Sequence, residues 1–310
     1  MTEPSTNPYD KELLLGSIFT PSAAVSSQDL FAGRQEQMQT VIDLAIETGQ
    51  HGVIYGERGV GKTSLARIMS TAFRNTHQVG FANCARGDAF GTIWQRVFES
   101  ITLEGEQAGV GFKAESQLTE FSAASLLQDG KDAGVHDVVR VIDRLSRDRP
   151  CLFFIDEFDR LEDPAVLDRF ADCIKSLSDL ALRATIVLVG VADSVSALIA
   201  QHESVNRSLV QVQMPRMSTA ELRQIVTTGL KRAEMTTFSD HEVLRIARFS
   251  RGLPHYTHLL ALNAGRNAVR EGRSAITNAD VDAAVERAIT LSQASTLDEY
   301  EKASTSSQKK

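Results

Sequence analysis

The sequence predicts an α/β protein: a parallel five-stranded sheet flanked by helices, followed by a small all-helical domain. Three observations carry this. Short apolar strands alternate with helices, at His51–Tyr55, Val79–Cys84, Cys151–Ile155, Thr185–Val191 and Leu209–Met214. Several lack polar/apolar alternation, notably Leu152-Phe153-Phe154-Ile155 and Ile186-Val187-Leu188-Val189, as strands covered by helices on both faces do. After Pro215 the pattern turns to helices alone.

Along the chain, residues 1–30 hold Pro4, Pro8 and Pro21 among many Ser and Thr, and an extended lead-in is expected there. The α/β domain is expected over 31–215. Its first helix falls at about 34–48, with Met38, Val41, Ile42, Ala45 and Ile46 on one face. The stretch Glu104–Gly134 is rich in Gly, Ser, Gln and Ala. It is expected to form a long surface excursion between a helix ending near Leu103 and another starting near His136. The helical domain is expected over 216–291. Ser218 with Glu221, Ser239 with Glu242, and Thr277 with Asp280 mark helix starts, each pair able to satisfy amides that the helix leaves unpaired. A helix from about Pro254 to Glu271 tolerates Pro254 in its first turn. The last helix carries Val281, Ala284, Val285, Ala288 and Ile289 as an amphipathic stripe. The tail 292–310 is expected to be disordered.

The chain has 310 residues, 42% hydrophobic and 24% charged, enough for a normal core and a soluble surface. A net charge of −7 argues against coating nucleic acid by bulk charge, although an acidic average can hide a local basic groove. The N-terminus is polar and acidic, so no signal peptide is expected. The longest apolar run, Ile186–Ala192, is far too short to span a bilayer. Cys84, Cys151 and Cys173 are scattered, without a CxxC pair, which fits a reducing cytoplasm. Cys84 and Cys151 lie in strand-like runs and are expected as small buried residues.

The strongest motif is Gly56-Glu57-Arg58-Gly59-Val60-Gly61-Lys62-Thr63, followed by Ser64. Its glycines let successive backbone N–H groups point at phosphate oxygens, and the following helix aims its positive end at the same place. Lys62 can reach the β- and γ-phosphates, and the Thr63 hydroxyl can ligate Mg²⁺. About ninety residues on, the buried strand Leu152–Ile155 ends in Asp156 and Glu157. Asp156 suits Mg²⁺ coordination, and Glu157 could orient or deprotonate an attacking water.

This loop, the strand ending Asp-Glu and the helical domain resemble the AAA+ ATPase superfamily. The details are closest to the branch joining origin-recognition initiators with STAND signalling ATPases. The resemblance covers roughly residues 30–290 and implies ATP and Mg²⁺ as cofactors. Leu30-Phe31-Ala32-Gly33-Arg34-Gln35 resembles the box ahead of the first helix, which lines the adenine pocket in the family and so implicates Gly33 and Arg34. The run Ile155–Leu161 resembles the Walker B strand and its continuation. The family's polar sensor 1 falls at Asp193 or Ser194. An aspartate beside a phosphate is repulsive unless a metal or arginine intervenes, which leaves Ser194 or a backbone group. Arg207 matches the arginine finger that reaches into the next subunit's site. Arg251-Gly252-Leu253-Pro254-His255 resembles the lid segment that carries sensor 2, a role open here to His255, Arg251 or His258.

The resemblance implies a cytoplasmic homo-oligomer, ring or filament, that hydrolyses ATP at subunit interfaces. Its work would be to assemble, remodel or regulate a separate partner protein, in DNA transactions or a bacterial defence system. Initiators continue past the lid into a DNA-gripping winged helix. None is expected in the roughly twenty residues that follow the lid here, so the output is expected in another chain. One alternative is a nucleotide-gated oligomeric scaffold with slow turnover. Another is a DNA-associated, target-selecting ATPase of a mobile element, which would need basic residues gathered on one face, such as Arg140, Arg144, Arg147 and Arg149. Those arginines read first as a solvated or ion-paired helix face. No Asn-Lys-x-Asp motif for guanine is present.

Overall fold

A computed structural model describes residues 7–21, 33–107, 117–128, 130–191, 207–235 and 239–291. The elements in order are α1 (Pro8–Ile18), α2 (Gln35–Ile46), β1 (His51–Tyr55), α3 (Lys62–Phe73), β2 (Gln78–Asn83) and α4 (Phe90–Glu99). Next come β3 (Thr102–Gln107), β4 (Gln117–Ser122), α5 (Val135–Ser146), β5 (Cys151–Asp156), α6 (Pro164–Asp179), β6 (Ala184–Gly190) and β7 (Leu209–Gln213). The helices α7 (Thr219–Arg232), α8 (Asp240–Phe249), α9 (Pro254–Arg270) and α10 (residues 278–291) follow among the described residues. The chain folds as two compact units, an α/β unit of residues 34–58 and 62–215, and a helical unit of residues 1–33, 59–61 and 216–310.

In the α/β unit the main sheet has the order β2-β5-β6-β1-β7, and every neighbouring pair is parallel. The inner strands β5 and β6 are buried at every position, which explains their unbroken apolar sequences. The edge strand β2 alternates buried with more exposed residues, and β7 mixes the two. One face of the sheet rests on an aromatic cluster. Trp94 of α4 packs 5.4 Å from Phe98 and 5.3 Å from Phe153, and Phe170 of α6 packs 5.1 Å from Phe90 and 5.2 Å from Phe158. Such pairs contribute about 0.5–1.5 kcal/mol each beyond their buried area.

The helical unit closes on its own core, including Val226, Leu230, Val243, Ile246, Leu260 and Val281. At the start of α7 the Ser218 amide donates to Glu221 Oε2 (2.7 Å) and the Glu221 amide to Ser218 Oγ (3.2 Å). At α10 the Thr277 amide donates to Asp280 Oδ2 at 2.8 Å, and Arg273 grips the same carboxylate. No helix among the described residues is long and apolar enough to cross a membrane.

Two expectations are corrected. Residues 1–30 are not all extended, because α1 runs from Pro8 to Ile18. Asn7 Oδ1 accepts the Tyr9 amide at 3.1 Å, and Pro8 opens the helix where its missing N–H is harmless. The excursion 104–134 holds structure of its own. β3 and β4 pair antiparallel from Thr102↔Ser122 to Gln107↔Gln117, and two short 3-10 turns follow at Ala123–Leu126 and Gly130–Asp132. Ala123, Leu127 and Ala133 are buried in the main core, which ties down the turns that follow β4. The tail 292–310 lies outside the described residues.

Candidate functional site

β1 ends at Tyr55, and the loop Gly56–Gly61 leads directly into α3. At Gly56 (φ 155°) a Cβ would collide with the Met214 carbonyl, so only glycine lets the chain leave β1 beside the end of β7. Gly61 (φ 98°) lies in the left-handed region, open to glycine without strain, and turns the chain into α3. Val60 is buried and pins the loop, whereas Glu57 and Arg58 are exposed. Thr63 and Ser64 occupy the first turn of α3, where backbone N–H groups have no intrahelical acceptor.

Lys62 Nζ donates to the carbonyls of Gly56 (2.8 Å) and Glu57 (2.9 Å), holding the loop curled around its own ammonium. Burial lowers the Lys62 pKa; the Asp159 and Asp156 carboxylates oppose this and Arg58 adds to it. Asp159 is a site neighbour that sequence reasoning did not single out. Its only signal was a third acid in the run after β5, and its nearness to Lys62 is a tertiary fact.

Asp156, the last residue of β5, is 2% exposed. Its Oδ1 accepts the Glu157 amide at 2.8 Å, while Oδ2 is buried with no hydrogen-bond donor among the described residues. Burial raises its pKa, opposed by the neighbouring Thr63 side chain, the Glu157 amide, Arg67 and Lys62. An acceptor with an unfilled lone pair beside a threonine hydroxyl and a lysine fits a magnesium ion carried in with phosphates. Mg²⁺ is held this way, by few protein oxygens. Glu157 follows in the left-handed conformation (φ 56°), a strained choice for a non-glycine residue. Phe158 fixes that turn by burying its ring against Phe170, and Glu157 Oε2 lies 3.2 Å from Arg160 Nε.

The other expected residues are more dispersed. Arg34 is buried at the start of α2 with φ 65°, and its Nη2 donates to the Pro215 carbonyl at 2.6 Å, a structural tie. Gly33 lies in the helical unit, where a Cβ would collide with the Glu221 carboxylate. Asp193 and Ser194 lie outside the described residues. Arg207 is exposed in the turn before β7, with no carboxylate in ion-pair range among the described residues. In the helical unit, Arg251 is exposed with φ 48°, and its carbonyl accepts from Arg216 Nη1 at 3.1 Å. Pro254 opens α9. The loop tip Gly59–Gly61 belongs to this unit; a Cβ on Gly59 would lie 3.6 Å from His255 Cβ, and one on Gly61 would lie 3.9 Å from Pro254 Cγ. His258 is buried, with Nδ1 accepting the Thr20 amide at 3.3 Å, so it serves the helical core. On α5 and the residue pair after it, Arg140, Arg147 and Arg149 pair with Asp137, Asp143 and Asp148, and Arg144 has no partner among the described residues.

A parallel sheet whose first strand feeds a glycine loop and a helix, with a buried aspartate ending a nearby inner strand, defines a P-loop nucleotide-binding protein. The chain belongs to the AAA ATPase domain family, which matches residues 30–189. No curated protein matches it in sequence. Its fold is similar to the Walker-type ATPase paby2304 of Pyrococcus abyssi, with TM-score 0.66, 14% identity, and 91% of this chain and 78% of that one covered. It is also similar to the Aeropyrum pernix Orc1 protein in complex with DNA (TM-score 0.60, 17% identity, 89% and 69% covered). A third similar structure is the Thermotoga maritima RuvB Holliday junction branch migration motor (TM-score 0.52, 19% identity, 84% and 72% covered). At these identities the likeness is one of fold.

Proposed function

We propose that the chain hydrolyses ATP with Mg²⁺ in a homo-oligomer and uses the cycle to assemble, remodel or regulate a separate partner protein in the cytoplasm. The observation that carries this is the Asp156 carboxylate, buried with one oxygen unfilled beside Thr63 and Lys62. Thr63 and Asp156 would hold the ion, which when bound neutralises phosphate charge and orients the oxygens of the leaving group. Lys62 exchanges its two loop carbonyls for β- and γ-phosphate oxygens. The amides of Gly59, Val60, Gly61 and Lys62 line the same loop. Glu157 orients the attacking water and takes its proton. Arg207, exposed and unpaired among the described residues, is free to enter a neighbouring subunit's site. There it would neutralise charge that develops during transfer. The family resemblance makes Ser194 and His255 the further candidates for phosphate contact.

The ion pair between Glu157 and Arg160 favours a second reading, a nucleotide-gated scaffold in which turnover is slow because the base is held aside. DNA enters as a partner only by analogy with the Orc1 and RuvB structures.

Steady-state ATP hydrolysis against protein concentration, for wild type and Glu157→Gln, separates these. Specific activity that rises with concentration, with an inactive variant that still binds ATP, supports the composite-site ATPase. Tight ATP binding without turnover at any concentration replaces it with the gated scaffold.

A further inference from the structure

The main sheet ends in two edges, β2 and β7, and the α/β unit treats them differently. In a parallel edge strand, alternate residues turn their backbone N–H and C=O toward the neighbouring strand, and the others turn theirs outward. On β2 the Gln78 and Cys84 amides donate to the carbonyls of Pro150 and Asp156, so Phe81 and Asn83 face out. Both are taken up within the unit. The Phe81 amide donates to Ser100 Oγ at 2.9 Å, and the Asn83 carbonyl accepts from Arg96 Nη1 at 2.9 Å. On β7 the Ser208 carbonyl accepts the His51 amide and the Met214 amide donates to the Tyr55 carbonyl, both at 2.7 Å. Leu209, Gln211 and Gln213 therefore face out, and their backbone groups have no partner among the described residues. The strand reads Leu-Val-Gln-Val-Gln, without the charge or proline that commonly guards a sheet edge.

Beside this edge lies a groove of about 300 Å³, lined by Glu36, Gln37 and Thr40 of α2 and by Gln211, Val212 and Gln213 of β7. Glu36, Asp43 and Glu47 are exposed and fall on one stripe of α2, which Thr40 shares. None of the three has a basic side chain in ion-pair range among the described residues, and α2 itself holds no Lys or Arg. Gln39 Nε2 donates to Asp43 Oδ1 at 2.8 Å. Asp43 and Glu47 stand at the C-terminal end of α2, where the helix dipole disfavours negative charge. Their charge thus works against their own helix. From Glu36 to Glu47 the helix rises about 16 Å, and the five residues of β7 span about the same length.

We propose that the free edge of β7, flanked by the acidic stripe of α2, docks an extended segment of a partner protein that carries lysine or arginine at alternate positions. The segment adds to the sheet as a further strand, taking up the outward N–H and C=O groups of Leu209, Gln211 and Gln213. Its basic side chains on the α2 side meet Glu36, Asp43 and Glu47. Main-chain bonds supply affinity in this mode, and the charges select the partner. The same carboxylates repel a phosphate backbone, which sets nucleic acid aside as the occupant of this edge. Docking here needs neither ATP nor its hydrolysis, so it stands or falls apart from the P-loop reading.

The test uses the full chain and a fluorescein-labelled peptide, Lys-Thr-Lys-Val-Lys-Thr-Lys, followed by anisotropy at low salt. Saturable binding is expected. The same peptide methylated at alternate backbone nitrogens keeps its charge but cannot pair, and should bind at least about tenfold more weakly. Gln211→Pro removes an outward N–H that serves no bond within the unit, a position where an edge strand tolerates proline. It should retain the wild-type Tm and bind the peptide about tenfold more weakly. Glu36→Gln combined with Asp43→Asn should weaken binding about fivefold and flatten its salt dependence. Three results each overturn the proposal: no saturable binding to wild type, equal affinity for the methylated peptide, or undiminished binding to folded Gln211→Pro. If Gln211→Pro does not fold, the methylated peptide alone decides. A wild-type dimer in sedimentation that Gln211→Pro dissociates would assign the edge to a second copy instead, and would also overturn it.

Discussion

Asp156 turns Oδ1 to the Glu157 amide at 2.8 Å and keeps Oδ2 buried without a donor among the described residues. A half-satisfied buried carboxylate costs on the order of 1–3 kcal/mol. Burial raises its pKa, so the native state binds this proton more tightly than the unfolded chain does. The sign follows: the residue favours folding below the ordinary carboxylate range and opposes it above. Asp156→Asn should therefore raise the nucleotide-free Tm at neutral pH by about 2–4 °C, as a gain near 1 kcal/mol does in a domain this size. The same variant should lose the Mg²⁺ dependence of nucleotide binding. Calorimetry and an Mg²⁺ titration check both; a lower Tm would show that the carboxylate is well satisfied.

Arg160 holds Glu157 at 3.2 Å across half-exposed side chains. Such a pair adds little to stability, about 0–1 kcal/mol, but it fixes where the carboxylate points. Arg160→Ala should raise kcat a few-fold and leave nucleotide affinity and Tm nearly unchanged. A drop in kcat would instead make Arg160 part of the hydrolytic machinery.

Arg207→Ala should leave ATP affinity intact and reduce turnover by about 10³-fold or more, the scale of an arginine finger. Alone, Glu157→Gln and Arg207→Ala subunits should both be inactive. Mixed, they pair an intact Glu157 with an intact Arg207 at some interfaces, and activity should return. No recovery on mixing would place Arg207 outside a shared site.

Two histidines set a pH limit on the fold. His51 is fully buried at the base of β1, and His258 lies under the N-terminal arm; burial lowers both pKa values from 6.5 to about 4. His51 Nδ1 accepts the Ile186 amide at 3.0 Å, so its proton sits on Nε2, which has no acceptor among the described residues. Their stabilising effect is complete above about pH 6.5 and is lost as pH falls through about 4. Each accounts for on the order of 3 kcal/mol over that window. Urea midpoints should decline steadily from pH 6.5 to 4.5; a flat profile there would mean the imidazoles are already accessible to protons.

Much of the α/β unit was legible because β5 and β6 are covered on both faces and so carry unbroken apolar sequence. The capping pairs at Ser218 and Thr277 were legible because they act within three residues. α1 was not, since Leu13-Leu14-Leu15 is a run without helical period and Pro8 opens the helix where a break was expected. The β3–β4 ribbon was missed because it pairs only with itself, outside the main sheet whose strands set the pattern. At the site, motif spacing pointed to Lys62, Thr63, Asp156 and Glu157. That His258 belongs to the helical core was not legible, because the Thr20 amide that takes it up lies 238 residues away.

That separation has a consequence for biosynthesis. α1 leaves the ribosome about two hundred residues or more ahead of the helices whose core it shares. At about 5–20 residues per second, the interval is on the order of ten to fifty seconds. Throughout it Leu15, Ile18 and Phe19 lack their final neighbours and are exposed to chaperones and proteases. The core of the helical unit joins segments made far apart in time, so a ribosome that stalls before α9 releases a chain whose α1 has nowhere to dock.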